Sequence, residues 1–118
     1  MSNTNSTLVV IQTPPTADAE PLELAMALAA FDLPVTLLFI DAGLLWLCKD
    51  QQARRDGGKS PSRLLSALPM YDCDEVYHSA RDQQALNLTS EQLSNISTPV
   101  QDDEIQRLVA RHNVTLGF

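Results

Sequence analysis

The chain has 118 residues, 44% of them hydrophobic and 19% charged, which suits one globular domain over residues 1–118 and excludes a disordered chain. Fifteen acidic against eight basic residues give a net charge of −7, so the domain cannot wrap nucleic acid over its whole surface. Two cysteines (Cys48, Cys73) and two histidines (His78, His112) are too few and too widely spaced for a disulfide framework or a metal-ligand motif. No metal and no cofactor is expected.

Residues 1–7 carry no Lys or Arg and no apolar run, which is unlike a secretory or transit signal. They are expected to be disordered, and the protein to be cytoplasmic. The N-x-[ST] triplets at Asn5, Asn87, Asn95 and Asn113 are then expected to stay unglycosylated. Leu24 to Cys48 holds only two charges, Asp32 and Asp41. A membrane span there would bury Asp32, at a cost of about 2.5–3.5 kcal/mol, and would include Pro34. A helix, a turn and a strand fit better, and no membrane association is expected.

Leu8–Ile11 is a continuous apolar run closed by Thr13-Pro14-Pro15, as in a strand covered on both faces. Asp18 to Pro21 reads as a helix start with Asp18 as cap. The helix from Leu22 to Phe31 is apolar nearly all round. Leu24, Leu28 and Phe31 are assigned to the sheet, which leaves Ala25, Met26, Ala29 and Ala30 for another cover. Val35–Ile40 reads as a second buried strand, followed by Asp41, Gly43 and Leu44–Cys48, a short apolar helix or turn. Residues 49–63 read as a mobile polar loop. They hold five of the eight basic residues (Lys49, Arg54, Arg55, Lys59, Arg63) against two acids, a local net charge of +3.

Ser62–Leu68 reads as a short helix stopped by Pro69, Glu75–Ser79 as a third strand, and Ala80–Leu86 as a helix ended by a left-handed Asn87. Asn95–Thr98 is a weak strand. Asp102–His112 is the clearest helix: Ile105, Leu108, Val109 and His112 share one face, with acids at its start and Arg107 and Arg111 towards its end. Val114–Gly117 is the last strand. Strand and helix alternate throughout, which predicts an α/β fold: three layers, with a five-stranded, mostly parallel sheet between helices.

No motif announces a reaction. Gly58-Lys59-Ser60 matches the tail of a phosphate-binding loop, but Ala53 stands where the first glycine is needed and Pro61 where the helix should open. Cys73 lies between Asp72 and Asp74, which disfavours a thiolate; Cys48, beside Lys49, is the better candidate for a reactive thiol. The basic loop, with Arg54, Arg55, Lys59 and Arg63, is a candidate contact for an acidic partner or an RNA backbone. Leu22, Met26, Ala29, Leu45 and Trp46 are the candidate subunit interface, because so short a chain has few layers to cover them. In isolation the chain is expected to self-associate.

Several segments in register resemble the DsrE/DsrF-like family, and within it the TusC/DsrF branch, over residues 8–118. They are Thr13-Pro14-Pro15 before an Ala/Leu-rich helix, Leu38–Asp41 and Gly43 before an apolar turn, Leu68–Asp72 before the third strand, and Val114–Phe118 at the end. The branch's His-Gly turn and Arg-Glu-Gly pattern are replaced by Pro14-Pro15-Thr16 and Glu20-Pro21-Leu22-Glu23, so the chain resembles a divergent member. The resemblance implies a non-catalytic subunit of a sulfur-relay heterohexamer of related subunits, linked indirectly to tRNA thiolation or to sulfur oxidation. It places the relay cysteine of the active paralogue at Ser79, whose hydroxyl cannot carry a persulfide. The alternatives are a thiol sulfurtransferase using Cys48 or Cys73, and a stand-alone homo-oligomeric ligand-binding module.

Overall fold

The computed structural model describes residues 6–16, 18–49, 61–71, 73 and 75–118. Five strands, β1 (Thr7–Ile11), β2 (Val35–Phe39), β3 (Glu75–Ser79), β4 (Thr98–Val100) and β5 (Val114–Gly117), form one sheet in the order β4-β3-β2-β1-β5. Every neighbouring pair is parallel. The helices are α1 (Glu20–Ala30), α2 (Pro61–Ala67), α3 (Ala80–Ala85) and α4 (Asp102–Arg111).

The strand order explains the layers. From β1 to β4 the chain steps one way across the sheet; from β4 to β5 it returns to the far side of β1. Right-handed crossovers then put α4 on the face opposite α1 and α2. Leu22, Ala25 and Ala29 of α1 and Leu64 and Leu65 of α2 pack with Val9, Ile11, Leu37, Phe39 and Val76. Alternate strand residues, Leu8 and Leu38, meet Val100 and Leu108 on the other face, with Val10, Ile40 and Tyr77 packed alongside.

Between β2 and α2 a 3-10 turn, Asp41–Leu47, folds back over the sheet. Gly43 is required there: a Cβ at that position would stand 1.9 Å from the Ile11 carbonyl oxygen. Trp46 is fully buried, and its Nε1–H donates to the Thr13 carbonyl at 2.9 Å.

Several expectations need correction. The helix α1 is rotated from its assigned position: Leu22, Ala25 and Ala29 face the core, whereas Phe31 is 78% exposed. Small residues at Ala25 and Ala29 let the helix lie close to its neighbours, and Phe31 falls just past the last helical residue. The N-cap is Ala19, not Asp18. The disorder expected over 1–7 does not hold at residues 6 and 7: Thr7 opens β1, and Ser6 Oγ donates to Asn113 Oδ1 at 3.0 Å; residues 1–5 lie outside the described residues. The loop expected at 49–63 is helical at its end, because α2 begins at Pro61 and includes the exposed Arg63. Arg54, Arg55 and Lys59 lie outside the described residues. The fourth strand is displaced from 95–98 to Thr98–Val100, with Pro99 inside it.

Helices α1 and α3 end alike. Asp32 N–H donates to Ala29 and Leu33 N–H to Leu28; Asn87 N–H donates to Gln84 and Leu88 N–H to Gln83. Asp32 (φ 61°) and Asn87 (φ 56°) hold the left-handed position of these Schellman closures.

Candidate functional site

In an all-parallel sheet the carboxyl ends of the strands share one rim, where crevices of α/β folds open. Here β2 ends into Ile40 and Asp41, and β3 ends at Ser79, immediately before α3. Asp41 takes a left-handed conformation (φ 50°), and its N–H donates to Asp82 Oδ2 at 2.7 Å. Ser79 is 2% exposed; its Oγ accepts the Asp82 N–H at 3.1 Å and so caps α3. Arg81 of α3 pairs with Asp102 of α4 at 3.0 Å. Together these residues, with Ile105, line a cleft of about 330 Å³. A second cleft of about 730 Å³, lined by Gln83, Gln84, Leu88 and Gln101, also borders Arg81 and Asp102.

His78 and Ser79 are adjacent but point to opposite faces of β3. His78 is 3% exposed, with Nε2 2.8 Å from Gln83 Oε1 and Nδ1 2.7 Å from Ser97 Oγ. Gln83 Nε2 donates to the Leu88 carbonyl, which fixes its amide with Oε1 towards the ring. His78 therefore donates from Nε2 and accepts the Ser97 hydroxyl at Nδ1, as a neutral imidazole. Burial holds its pKa below the ordinary value of 6.5, against the smaller opposing pull of Gln83. Its hydrogen bonds thus tie α3 and the approach to β4 together, and Ser79 is not their recipient.

The other histidine is a brace as well: His112 Nδ1–H donates to the Leu108 carbonyl at 2.6 Å, and its Nε2 accepts from Thr36 Oγ1 at 2.9 Å.

The cysteines stand elsewhere. Cys48 is half-buried beside Lys49, in a crevice of about 250 Å³ with Ser62, Leu65 and Ser94. Burial raises its pKa, which disfavours a thiolate at this position. Cys73 is buried at the foot of β3, its Sγ 3.9 Å from the Val35 carbonyl, and lies at the other end of the strand from Ser79.

Of the candidate interface residues, Leu22, Ala29 and Trp46 are internal to this chain's own core. Met26 and Leu45 are half-buried, and Met26 packs against that core. Sequence reading missed Asp41, Arg81, Asp82 and Asp102 as rim residues. The spacing Ser79-x-x-Asp82, a helix-cap pattern, was the available signal for the Ser79–Asp82 contact alone. Among the described residues no group of three His, Cys, Asp or Glu side chains could hold a metal, and no helix is long and apolar enough to cross a membrane.

The model of the DsrE/DsrF-like family matches residues 5–114, nearly every element just described. The chain belongs to the DsrE/DsrF-like family. Within the family it is similar to the Protein TusC homolog of Pseudomonas aeruginosa, at 35% identity over 94 residues, 80% of this chain and 79% of that protein. The crystal structure of the ychN protein from E. coli shares the fold with a TM-score of 0.82 at 15% identity, over 97% of this chain and 99% of that one. The α/β reading from strand and helix alternation thus agrees with both the sheet and this structural likeness.

Proposed function

We propose that this chain is a non-catalytic DsrE-fold subunit of a cytoplasmic sulfur-relay complex, and that it shapes the assembly around a related subunit carrying the persulfide. Similarity to the TusC homolog supports the branch, and Ser79 is the observation that carries the role. At the strand end where the resemblance places the relay cysteine, this chain has a buried hydroxyl that caps α3. A hydroxyl has no sulfur to extend. Its neighbouring histidine faces away and is held by Ser97 and Gln83. The rim has a cleft but no thiol at this strand end, as fits a partner subunit.

The expected assembly is a heterohexamer of related subunits feeding sulfur towards tRNA 2-thiouridine or through sulfur oxidation. Contacts from this chain would come from Met26 and Leu45, and from the basic segment with Arg54, Arg55, Lys59 and Arg63.

The test combines assembly with chemistry. Co-expression with the related subunits of the same genome should give a stoichiometric complex by native mass spectrometry. Labelled persulfide should then reach the cysteine-bearing subunit, without stoichiometric label on this chain. Label on this chain that is lost in Cys48→Ser or Cys73→Ser would overturn the reading in favour of a thiol sulfurtransferase. Failure to join any related subunit, with a stable homo-oligomer instead, would favour a stand-alone ligand-binding module.

A further inference from the structure

The two edges of the sheet are built differently. At one edge β4 is three residues long and contains Pro99, which has no N–H to offer an incoming strand. At the other, β5 has neither proline nor charge, and its outer side is unpaired among the described residues. Val114 N–H donates to the Ser6 carbonyl at 3.2 Å; Phe118 donates to Val10 at 2.9 Å and accepts from Gln12 N–H at 3.0 Å. Backbone groups alternate along a strand, so those of Val114, Leu116 and Phe118 face β1, and those of Thr115 and Gly117 face outward. Thr115 and Gly117 are exposed, and the Val114 residue is 46% exposed.

We propose that two copies of this chain pair antiparallel through β5, about a twofold axis at Leu116. In that register Thr115 of each copy stands opposite Gly117 of the other, and each such pair exchanges both N–H···O=C bonds. The four bonds use every outward N–H and C=O of Thr115 and Gly117.

The same register sets Leu116 against its own copy and Val114 against Phe118 of the second copy. All three lie on the face that carries α1: Leu116 is level with Val9, and Phe118 packs against the core beneath that helix. The pairing therefore covers the exposed Val114 with an aromatic ring and extends the apolar layer across the axis. A Cβ added at Gly117 would meet nothing within 4 Å, so Thr115 of the second copy has room there.

A register one residue out turns the inward-facing groups towards the newcomer and loses the match. The occupant is a second copy because one five-residue segment supplies both halves of every pair. A twofold contact of this kind closes on itself and yields a continuous ten-stranded sheet. It is independent of the relay role, since β5 lies three strands from β3 and the Ser79 rim stays open.

Sedimentation of the full chain should show a reversible dimer of twice the 13.0 kDa chain mass. Hydrogen exchange should show Leu116 N–H protected at all concentrations, and Thr115 and Gly117 N–H protected only as the dimer forms. Thr115→Pro removes an outward N–H and no bond to β1. It should raise the dissociation constant at least about tenfold, for two backbone bonds lost per dimer. Val114→Asp should weaken the dimer through the side-chain pair with Phe118.

A monomer at every concentration overturns the proposal. So does a dimer whose Thr115 and Gly117 amides exchange freely. If Thr115→Pro fails to fold, exchange in the unaltered chain decides the matter.

Discussion

The two faces of the sheet are covered unequally. On one, α1, α2 and the 3-10 turn build a continuous cluster from Val9 and Ile11 through Phe39 and Trp46 to Leu68. On the other, α4 alone covers Leu8, Leu38 and Val100, chiefly with Leu108, while Val10, Ile40 and Tyr77 stay half-buried. A buried side chain in the first cluster has packed neighbours on all sides, and its loss leaves a cavity that cannot collapse. On the thinner face the surroundings can relax, and solvent is near. Stability is therefore concentrated in the first face, while the second holds apolar surface at a half-covered level.

Adjacent leucines on β2 test this most directly. Leu37 is buried in the larger cluster and Leu38 in the smaller, with almost the same exposure. Leu37→Ala should cost about 5 kcal/mol and Leu38→Ala about 3 kcal/mol, the upper and lower parts of the range for buried leucines. Equal losses in denaturant unfolding would show that the faces are equally rigid. Gly43→Ala comes next. Its added methyl would strike the Ile11 backbone rather than a side chain that could turn away, so about 3 kcal/mol is expected.

A third measurement separates polar from apolar support on the thicker face. His78 is on the same side of the sheet as Phe39 and is kept neutral by burial. Its folded pKa lies below the ordinary 6.5, so between the two values the unfolded chain binds a proton that the folded chain does not. Stability contributed by the neutral ring is complete above pH 6.5 and is lost as pH falls towards the folded value. One group sets a slope of at most about 1.4 kcal/mol per pH unit. In His78→Gln this part of the acid dependence should vanish from unfolding measured at stepped pH.

Legibility followed the strength of local pattern. β1, β2, β3 and β5 lay within a residue of their observed limits because each is an apolar or β-branched run between turn residues. Asn87 was readable as a helix terminator, since a short polar side chain at the end of a helical run favours the left-handed position. The face of α1 was not readable. A helix with Leu, Ala and Met on every side carries little amphipathic signal, and close packing selected Ala25 and Ala29 over the larger Leu24 and Phe31. At the rim, Ser79 was found through family resemblance. Its setting was hidden, because the bonds from Asp41 to Asp82 and from Arg81 to Asp102 join residues far apart in the chain.

The smallest expected effect lies where α1, the main helix of the thicker face, is closed. Asp32 occupies the left-handed position of that closure, where a non-glycine residue is strained by about 1–2 kcal/mol. Its carboxylate also sits at the negative end of the helix dipole, and the last turn has no basic residue to offset it. Glycine would relieve both terms, but would add unfolded-state freedom worth about 0.4–1 kcal/mol. Asp32→Gly should therefore stabilise by about 0.5–1 kcal/mol, a rise of roughly 3 °C in Tm. Asp32→Asn removes the charge and keeps the side chain, so its share of the gain measures the dipole term alone. A fall in Tm for Asp32→Gly would mean that the Asp32 side chain stabilises the closure of α1 by more than its strain and charge cost.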